Sequence, residues 1–362
     1  MTNVVTNLSG LTPDWLTACL ADRYPGIRVG SARVTPLDVG ASYHGNLARV
    51  ELLEVSGAEA PEALVAKLVA DTPAARDLGI GMGIYLREAL FYEQLAPSVR
   101  LRPPACHGAV YDPASGLSAI LLEDLTDLEV GVQAAGYTPE RARTTVLQLA
   151  DQHAAFWDDD GLAGIAWLPI WNQPDMVAFI VNGFSQVWPV CQAVFADYLG
   201  VDDIALGNKL AKSLAQLMEA IAEPPVTLLH GDTRYDNLLF DATDAAVPPR
   251  TVDWQFVASG RGAQDLAYFL TQSGDMNVAA AHERDLISAY HGRLVDYGVA
   301  GYTAEACWDD FRRCALYSLV YPVFTAGMVD PSNAEQREST AIILRRGFDA
   351  AQRLDATSLL QT

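Results

Sequence analysis

The most informative segment of the chain reads His230-Gly231-Asp232-Thr233-Arg234-Tyr235-Asp236-Asn237, and Asp253 follows it in Thr251-Val252-Asp253-Trp254-Gln255. Transfer of a γ-phosphoryl group requires little covalent chemistry, so a protein mainly orients a hydroxyl and holds a metal ion against the phosphates. Asp232 could accept the hydroxyl proton, while Asn237 and Asp253 could offer the oxygen ligands that Mg²⁺ prefers. The segment therefore predicts a phosphoryl-transfer site.

Three short apolar runs, residues 226–229, 238–240 and 250–252, lie around these side chains. Residues 241–249, which separate the last two runs, have the composition of a loop. If those two runs pair as a hairpin, Asn237 and Asp253 become neighbours at its open end. The alternative is that the His-Gly-Asp sequence forms a capped turn and that Asn237 and Asp253 are ordinary strand ends.

The whole segment resembles the catalytic loop and metal-binding strand of the aminoglycoside phosphotransferase and choline kinase superfamily, which includes ecdysteroid kinase-like proteins. Its loop is most similar to the HGDxRxDNxxF of phosphotransferase domains fused to acyl-CoA dehydrogenases. The Asp253-Trp254-Gln255 sequence is more similar to the ecdysteroid kinase-like group. The resemblance implies an α+β, bilobal protein-kinase-like fold, with Mg²⁺ as cofactor and ATP or GTP as co-substrate.

Kinases of this type also need a lysine on a strand of the small lobe and a glutamate on the next helix. Lys67 lies in the apolar run 64–69 and would hold the α- and β-phosphates, unless it is an edge-strand charge that faces water. Glu88 lies on an apolar helical face, where a carboxylate needs a partner. Glu93 is the competing candidate but lies off that face. We therefore predict that Glu88 pairs with Lys67.

Two further segments are implied to contact the nucleotide. Residues 40–46 stand where a phosphate-covering loop is expected, so their backbone N–H groups and the Ser42 hydroxyl could contact phosphate oxygens. An ordinary hairpin turn explains the same residues equally well. The family carries a similar Leu-Glu-Asp-Leu sequence between its lobes, which implies that backbone groups from Glu123 to Leu125 hydrogen-bond the adenine.

Two charged residues complete the resemblance around the loop. Asp265 opens a helical pattern, and its equivalent in the family braces the catalytic loop, so we expect a structural role as N-cap and brace. Arg234 stands where protein kinases carry a lysine, and its guanidinium could stabilise charge that develops on the phosphate. The alternative for Arg234 is an ion pair with Asp236. His230 and His153 are interpreted as structural.

Composition restricts the classes of partner. The chain has 362 residues, half of them apolar, and a net charge of −21, which argues against a nucleic-acid partner because such proteins cluster Lys and Arg. The five cysteines are scattered without CxxC spacing, so neither a disulfide framework nor a zinc site is expected. With neither a signal-peptide pattern nor a long apolar run, we expect no membrane partner and a cytoplasmic location.

The pattern along the chain predicts two lobes. Strand-like segments prevail up to about Asp124, and helical periodicity prevails from Thr138-Pro139 onward. We therefore predict a nucleotide-binding lobe over residues 1–124 and a catalytic, acceptor-binding lobe over residues 125–362. Aromatic residues concentrate in residues 167–198 and 317–328, where they either build the core or line the acceptor pocket.

These observations predict Mg²⁺-dependent transfer of the γ-phosphoryl group of ATP or GTP to a hydroxyl of a small molecule. If some of the aromatic residues line the pocket, a partly apolar hydroxylated metabolite fits better than a polycationic sugar. An aminoglycoside O-phosphotransferase is the alternative within the superfamily. A catalytically silent nucleotide-binding scaffold is the alternative from another class, although the presence of Lys67, Asp232, Asn237 and Asp253 argues against it. The sequence leaves the oligomeric state open.

Overall fold

In the computed structural model, residues 2–37 and 45–360 are described, and for residues 277–279 only the backbone. The strands are β1 (Arg28–Pro36), β2 (Gly45–Ser56), β3 (Ala63–Val69), β4 (Cys106–Asp112), β5 (Leu117–Glu123), β6 (Glu129–Val130), β7 (Thr227–Leu229), β8 (Leu238–Phe240), β9 (Arg250–Thr251) and β10 (Ala258–Gly260). The helices are α1 (Pro13–Leu20), α2 (Pro73–Gly81), α3 (Ile84–Gln94), α4 (Pro139–Ala155), α5 (Asp160–Ala163), α6 (Pro174–Val194), α7 (Val201–Ala222), α8 (Ala263–Ser273), α9 (Met276–Asp296), α10 (Ala304–Ser318), α11 (Val320–Met328) and α12 (Ala334–Arg353).

The chain divides into two compact units, residues 1–129 with 250–256, and residues 130–249 with 257–362. The first unit therefore includes a short segment that is remote in sequence and carries Asp253. The sequence-based division after residue 124 assigned this segment to the second lobe. Local periodicity does not reveal such a return of the chain, because the contacts that hold residues 250–256 join positions more than a hundred residues apart.

The first unit contains a five-stranded antiparallel sheet in the order β1-β2-β3-β5-β4. Helix α1 packs against it and buries Trp15, Leu16 and Leu20, which form a core cluster with apolar residues of the sheet. Lys67 lies on the central strand β3, opposite Leu47 of β2 and Ile120 of β5. This position excludes the edge-strand alternative for Lys67.

Three helices begin with the same pair of residues, Thr followed by Pro. The side chains of Thr12, Thr72 and Thr138 accept hydrogen bonds of 3.2, 3.4 and 3.3 Å from the backbone N–H three positions later. Each proline occupies the first helical position, where the missing N–H costs nothing. These local signals explain why α1, α2 and α4 begin where they do.

The second unit is mainly helical, with a short antiparallel pair of β7 and β10. Every residue of α8 is buried, which makes this helix the centre of the unit. Helices α6 and α11 approach closely at two glycines, since a Cβ atom on Gly183 would meet the Phe324 ring at 2.7 Å and one on Gly327 would meet Val187 at 2.5 Å. A small unit with an antiparallel sheet plus helix, and a larger helical one, confirm the predicted fold class.

Among the described residues, α6 is the one helix with the length and apolar composition to cross a membrane. Core helices of soluble proteins often meet the same two criteria. In α6, 17% of that apolar window is buried, and the buried residues of the helix are Phe184, Trp188 and Cys191.

Candidate active site

The predicted catalytic loop, residues 230–237 of the second unit, follows β7 and ends in a 3₁₀ turn over Tyr235–Asn237. Asp232 is buried, with 9% of its surface exposed. The side-chain amide of Asn237 donates to the backbone oxygen of Asp232 at 2.8 Å and to its Oδ2 at 3.0 Å. The Asp232 carboxylate is thus held in one orientation by a residue five positions later.

Arg234 lies between two carboxylates of the same loop. Its Nε is 3.5 Å from Asp232 Oδ2, and its Nη1 is 3.7 Å from Asp236 Oδ2. The proposed ion pair with Asp236 and a contact with Asp232 therefore coexist. A guanidinium in this position adds positive charge beside the carboxylate that the sequence analysis assigned to proton transfer.

Asp265 holds the backbone of the loop from the first turn of α8. Its two carboxylate oxygens accept the N–H groups of His230 at 2.7 Å and Gly231 at 2.9 Å, and its backbone oxygen accepts the Thr233 hydroxyl at 2.7 Å. The predicted N-cap role is wrong, because α8 begins at Ala263 and Gly262 takes the cap position. The carboxylate instead binds N–H groups of the loop.

The imidazole of His153 supports Asp265 from α4. Its Nε2 lies 3.3 Å from Asp265 Oδ2, and its Nδ1 lies 2.8 Å from the Tyr290 hydroxyl. His230 is fully buried as well, and its Nδ1 accepts the Asp232 N–H at 3.2 Å. Both histidines therefore pack in the core around the loop, as predicted, rather than face a ligand.

The first unit contains the second set of predicted site residues. Lys67 Nζ lies 2.8 Å from Glu88 Oε1 and 2.8 Å from Asp253 Oδ1. Burial by itself would lower the pKa of Lys67, but the two carboxylates outweigh burial and raise this pKa above its ordinary value. Burial raises the pKa of Glu88, against the opposing effect of Lys67. Glu93 instead accepts the exposed Tyr111 hydroxyl at 2.7 Å, which leaves Glu88 as the partner of Lys67.

Helix α3 also fixes the segment that carries Asp253. The Trp254 N–H donates to Glu88 Oε1 at 3.2 Å, and the indole stacks on Phe91 with ring centroids 4.0 Å apart. Asp253 itself has a φ of 66°, which is uncommon for a residue with a side chain. The contacts of the next residue, Trp254, thus help to hold the backbone of Asp253 in the left-handed region.

The chain was compared with known proteins both by sequence and by fold. Residues 186–299, which contain the catalytic loop, Asp253 and Asp265, match the model of the ecdysteroid kinase-like family. The chain also superposes on many solved structures, of which three are described. APH(2″)-IIIa with GDP and kanamycin is 14% identical, with a TM-score of 0.53 and coverage of 95% of this chain and 99% of that one. Choline kinase from Cryptosporidium parvum Iowa II is 10% identical, with a TM-score of 0.53 and coverage of 94% of this chain and 93% of that one. APH(2″)-IIa with gentamicin is 11% identical, with a TM-score of 0.53 and coverage of 99% of this chain and 100% of that one.

The chain has the fold of the aminoglycoside phosphotransferase and choline kinase superfamily. The resemblance predicted from the sequence to this superfamily of small-molecule kinases is thereby confirmed. No curated protein matches the chain significantly in sequence.

The other residues predicted to contact the nucleotide are Glu123, Leu125 and Ser42. The Glu123 N–H already donates to the Ala105 carbonyl at 2.8 Å, so this donor is not available to a base. Its side chain binds Arg250 Nη2 at 2.5 Å. Leu125 is buried, and its carbonyl accepts the Leu128 N–H at 3.1 Å. Ser42 and most of its loop lie outside the described residues.

The donor chemistry fits a magnesium ion better than a transition metal. The described part of the chain contains no group of three or more His, Cys, Asp or Glu side chains that could hold a metal. Asn237 uses its Nδ2 on Asp232, so its amide oxygen is the atom it can offer to a cation. Asp253 offers a carboxylate that is one-quarter exposed. Hard oxygen donors in small number suit Mg²⁺, which keeps waters and phosphate oxygens as its other ligands.

Tyr268, which lies three residues after Asp265 in α8, was not predicted as a site residue from the sequence. Burial, together with the charge of Asp232, raises the pKa of Tyr268 well above its ordinary value. The Tyr268 ring stacks on Tyr321 with centroids 4.0 Å apart. Helical spacing places residues three apart on one face, so the Asp265 brace was the signal that could have led to Tyr268.

The aromatic segments divide between core and surface. In residues 167–198, Trp171, Phe184, Trp188 and Phe195 are buried, whereas Phe179 and Tyr198 are 44% and 37% exposed. Tyr317 is also buried, with 1% of its surface exposed. In α11, the half-buried Tyr321 and Phe324 and the exposed Met328 follow at helical spacing. The exposed apolar surface of this second segment thus belongs mainly to Met328, which is 44% exposed.

Proposed function

We propose that the protein is a small-molecule kinase that transfers the γ-phosphoryl group of ATP or GTP to a hydroxyl. The observation that carries the proposal is the fixed carboxylate of Asp232, held by the Asn237 amide on a loop that Asp265 braces. A buried, oriented carboxylate suits a general base because it can take a proton from a hydroxyl placed within hydrogen-bond distance.

In the proposed reaction, Asp232 orients the acceptor hydroxyl and receives its proton. The acceptor oxygen forms a bond to the γ-phosphorus, and the bond from that phosphorus to the bridging oxygen of the nucleoside diphosphate breaks. The nucleoside diphosphate leaves with the electron pair of that bond. Arg234 lies 3.5 Å from Asp232 Oδ2 and supplies positive charge near the developing phosphate charge.

In this proposal Lys67 binds the nucleotide, because its ammonium would contact the α- and β-phosphates. Glu88, from which it is 2.8 Å away, keeps the ammonium charged and directed. Asn237 and Asp253 would hold Mg²⁺, which when bound neutralises phosphate charge and draws the phosphate oxygens into place. The backbone after β5 remains our proposal for the adenine contact, with Leu125 rather than the Glu123 N–H as the donor.

The acceptor proposed here is a partly apolar alcohol. The hydroxyl of Tyr321 donates to the Gly231 carbonyl at 3.3 Å, next to Asp232, so α11 starts beside the catalytic loop. From there Phe324 and Met328 continue along the helix, and Met328 is 44% exposed. Apolar surface of this kind favours an acceptor that has hydrocarbon next to its reactive hydroxyl over a polycationic sugar.

The test is transfer of label from γ-labelled ATP or GTP, with Mg²⁺, to a panel of hydroxyacyl thioesters, sterols, sugars, amino alcohols and aminoglycosides. The Asp232→Asn variant is the matched control, since it keeps the shape of the side chain but removes the base. We expect labelled product with the wild-type protein and a loss of roughly a hundredfold or more in the variant. Equal turnover by Asp232→Asn would reject the assigned base.

The same panel distinguishes the other candidates. Label on aminoglycosides alone would favour the activity of APH(2″)-IIIa, which shares this fold and was solved with kanamycin. Nucleotide binding without transfer to any acceptor or to water would favour a silent scaffold. All five cysteines are free thiols, which fits the reducing cytoplasm where we propose that the kinase acts.

A further inference from the structure

We propose that Arg87 is a positioning residue that fixes the segment carrying Asp253, so that the Asp253 carboxylate keeps the orientation needed to hold Mg²⁺. This inference rests on the proposed function, which assigns Asp253 to the metal, and it adds a residue to that function. Three features of the first unit carry it: the two acceptors of the Arg87 guanidinium, the burial of its charge, and the backbone conformation of Asp253.

The guanidinium of Arg87 joins the start of α3 to the segment that follows Asp253. Its Nη1 donates to the Gln255 carbonyl at 3.0 Å, and its Nη2 donates to the Met82 carbonyl at 2.8 Å. Gln255 lies two residues after Asp253 and has 1% of its surface exposed. A planar group with a fixed donor geometry thus sets the distance between these two backbone positions.

The charge of Arg87 has a cost that its partners do not cancel. Arg87 is half-buried, and burial lowers the pKa of its guanidinium to about 10. Its hydrogen-bond acceptors in the described part of the chain are two neutral carbonyl oxygens rather than a carboxylate. For stability alone an apolar side chain would avoid this cost. The role of the arginine therefore lies in the backbone that it holds.

The backbone around Asp253 needs such support. A φ of 66° lies in the left-handed region, which a residue with a side chain keeps only where its surroundings hold it. Glu88 accepts the Trp254 N–H at 3.2 Å, and Arg87 binds the carbonyl of the following residue, Gln255. Helix α3 thus holds two successive residues next to the proposed metal ligand, one by its N–H group and one by its carbonyl.

Arg76 of α2 provides a matched control in the same unit. Like Arg87 it is half-buried, and it donates to two backbone carbonyls, those of Ala70 at 3.0 Å and Asp71 at 2.9 Å. These two acceptors directly follow β3 and are not part of residues 250–256. Replacement of Arg76 therefore removes the same kind of contact without removing one from the segment with Asp253.

The decisive variant is Arg87→Met, which keeps an unbranched stem and removes both contacts. Hydrogen exchange of the protein without nucleotide or metal measures how firmly residues 250–256 are held. We expect exchange of the amides in this segment to rise about tenfold or more, because a hydrogen bond from a charged donor is lost. Exchange in β2 and β3 should stay within about twofold of the wild type. Arg76→Met should match the wild type in residues 250–256.

The second readout is the Mg²⁺ concentration that gives half of the metal-dependent thermal stabilisation by nucleotide. This concentration should rise about tenfold or more in Arg87→Met and keep its wild-type value in Arg76→Met. Nucleotide affinity in EDTA should change less than about twofold, since Lys67 is unaltered. A purely structural role would instead weaken nucleotide binding equally with and without Mg²⁺.

Arg87→Lys keeps the proposal testable if Arg87→Met does not fold. A lysine keeps the charge but lacks the planar fork, so exchange in residues 250–256 should still rise about threefold. Wild-type exchange in this segment or a wild-type Mg²⁺ requirement, in the variant that folds, would overturn the proposal, as would equal changes in Arg76→Met. A wild-type protein without Mg²⁺-dependent nucleotide binding would overturn the proposed function and the metal role of the segment. Exchange, measured without ligands, would then still show whether Arg87 holds residues 250–256.

Discussion

Lys67 and Glu88 form a buried ion pair in which Nζ lies 2.8 Å from Oε1, although the two residues are 21 positions apart. Glu88 has only 2% of its surface exposed and also accepts the Trp254 N–H. The Glu88 carboxylate, on helix α3, therefore contacts both the central strand β3 and the segment that carries Asp253. A change at this carboxylate should affect both stability and the nucleotide site.

Glu88→Gln should lower the free energy of unfolding by about 3 kcal/mol, because it leaves a buried ammonium with a weaker partner. Denaturant unfolding at pH 7 measures this effect. Glu93→Gln on the same helix is the control and should change the free energy by less than about 0.5 kcal/mol. Equal stability of the two variants would contradict the structural importance of the Lys67–Glu88 pair.

Lys67→Ala should weaken ATP or GTP binding about tenfold or more, since the ammonium would otherwise contact the phosphates. Titration calorimetry measures the affinity, and circular dichroism checks that the variant is folded. The exposed Lys212→Ala serves as the control for loss of one positive charge. If Lys67→Ala binds nucleotide as tightly as the wild type, Lys67 does not hold the phosphates.

Asp253→Ala should abolish the part of nucleotide-induced thermal stabilisation that depends on Mg²⁺. A ligand that binds only the folded state raises the melting temperature, so loss of the metal ligand removes that increment. The melting temperature is compared with nucleotide plus Mg²⁺ and with nucleotide plus EDTA. The exposed Asp244→Ala should retain the full difference between these conditions. An unchanged difference in Asp253→Ala would remove Asp253 from the metal site.

Asp265→Asn should lower both stability and turnover, because one of two buried oxygens that accept backbone N–H groups becomes an amide donor. We expect a loss of about 2 kcal/mol in the free energy of unfolding. The exposed Asp285→Asn on α9 should be neutral. Full stability and wild-type turnover in Asp265→Asn would show that the loop does not depend on this brace.

Stability should depend on pH through the contact of Glu123 with Arg250. Burial by itself would raise the pKa of Glu123, but the Arg250 hydrogen bond and charge outweigh it and lower this pKa below 4.5. The stabilisation that this contact gives to the folded state is therefore fully present above pH 4.5. It is lost as the pH falls through the lowered pKa of Glu123 in the folded state. Glu123→Gln should cost about 1 kcal/mol at pH 7 and less in acid. The exposed Glu59→Gln should show no such pH-dependent difference, and a constant cost of Glu123→Gln down to pH 3 would contradict the assignment.

Much of the fold could be predicted because it depends on local signals. The Thr138-Pro139 pair predicted the start of helical structure at residue 139, where α4 begins. Likewise, the apolar run around Lys67 predicted a strand, and the apolar face of the next helix predicted that Glu88 points inward. Such signals operate within one or two turns of chain, so spacing in the sequence is enough to read them.

By itself, the sequence determined the residue types of the catalytic loop and their spacing, because a loop that holds a base and an amide five residues apart is a local structure. Only the tertiary structure decided that Asp265 binds the loop backbone and that Tyr321 stacks on Tyr268. It also decided that residues 250–256 pack with the first unit. These contacts join distant parts of the chain, and their partners depend on how buried surfaces pack, which local periodicity does not encode.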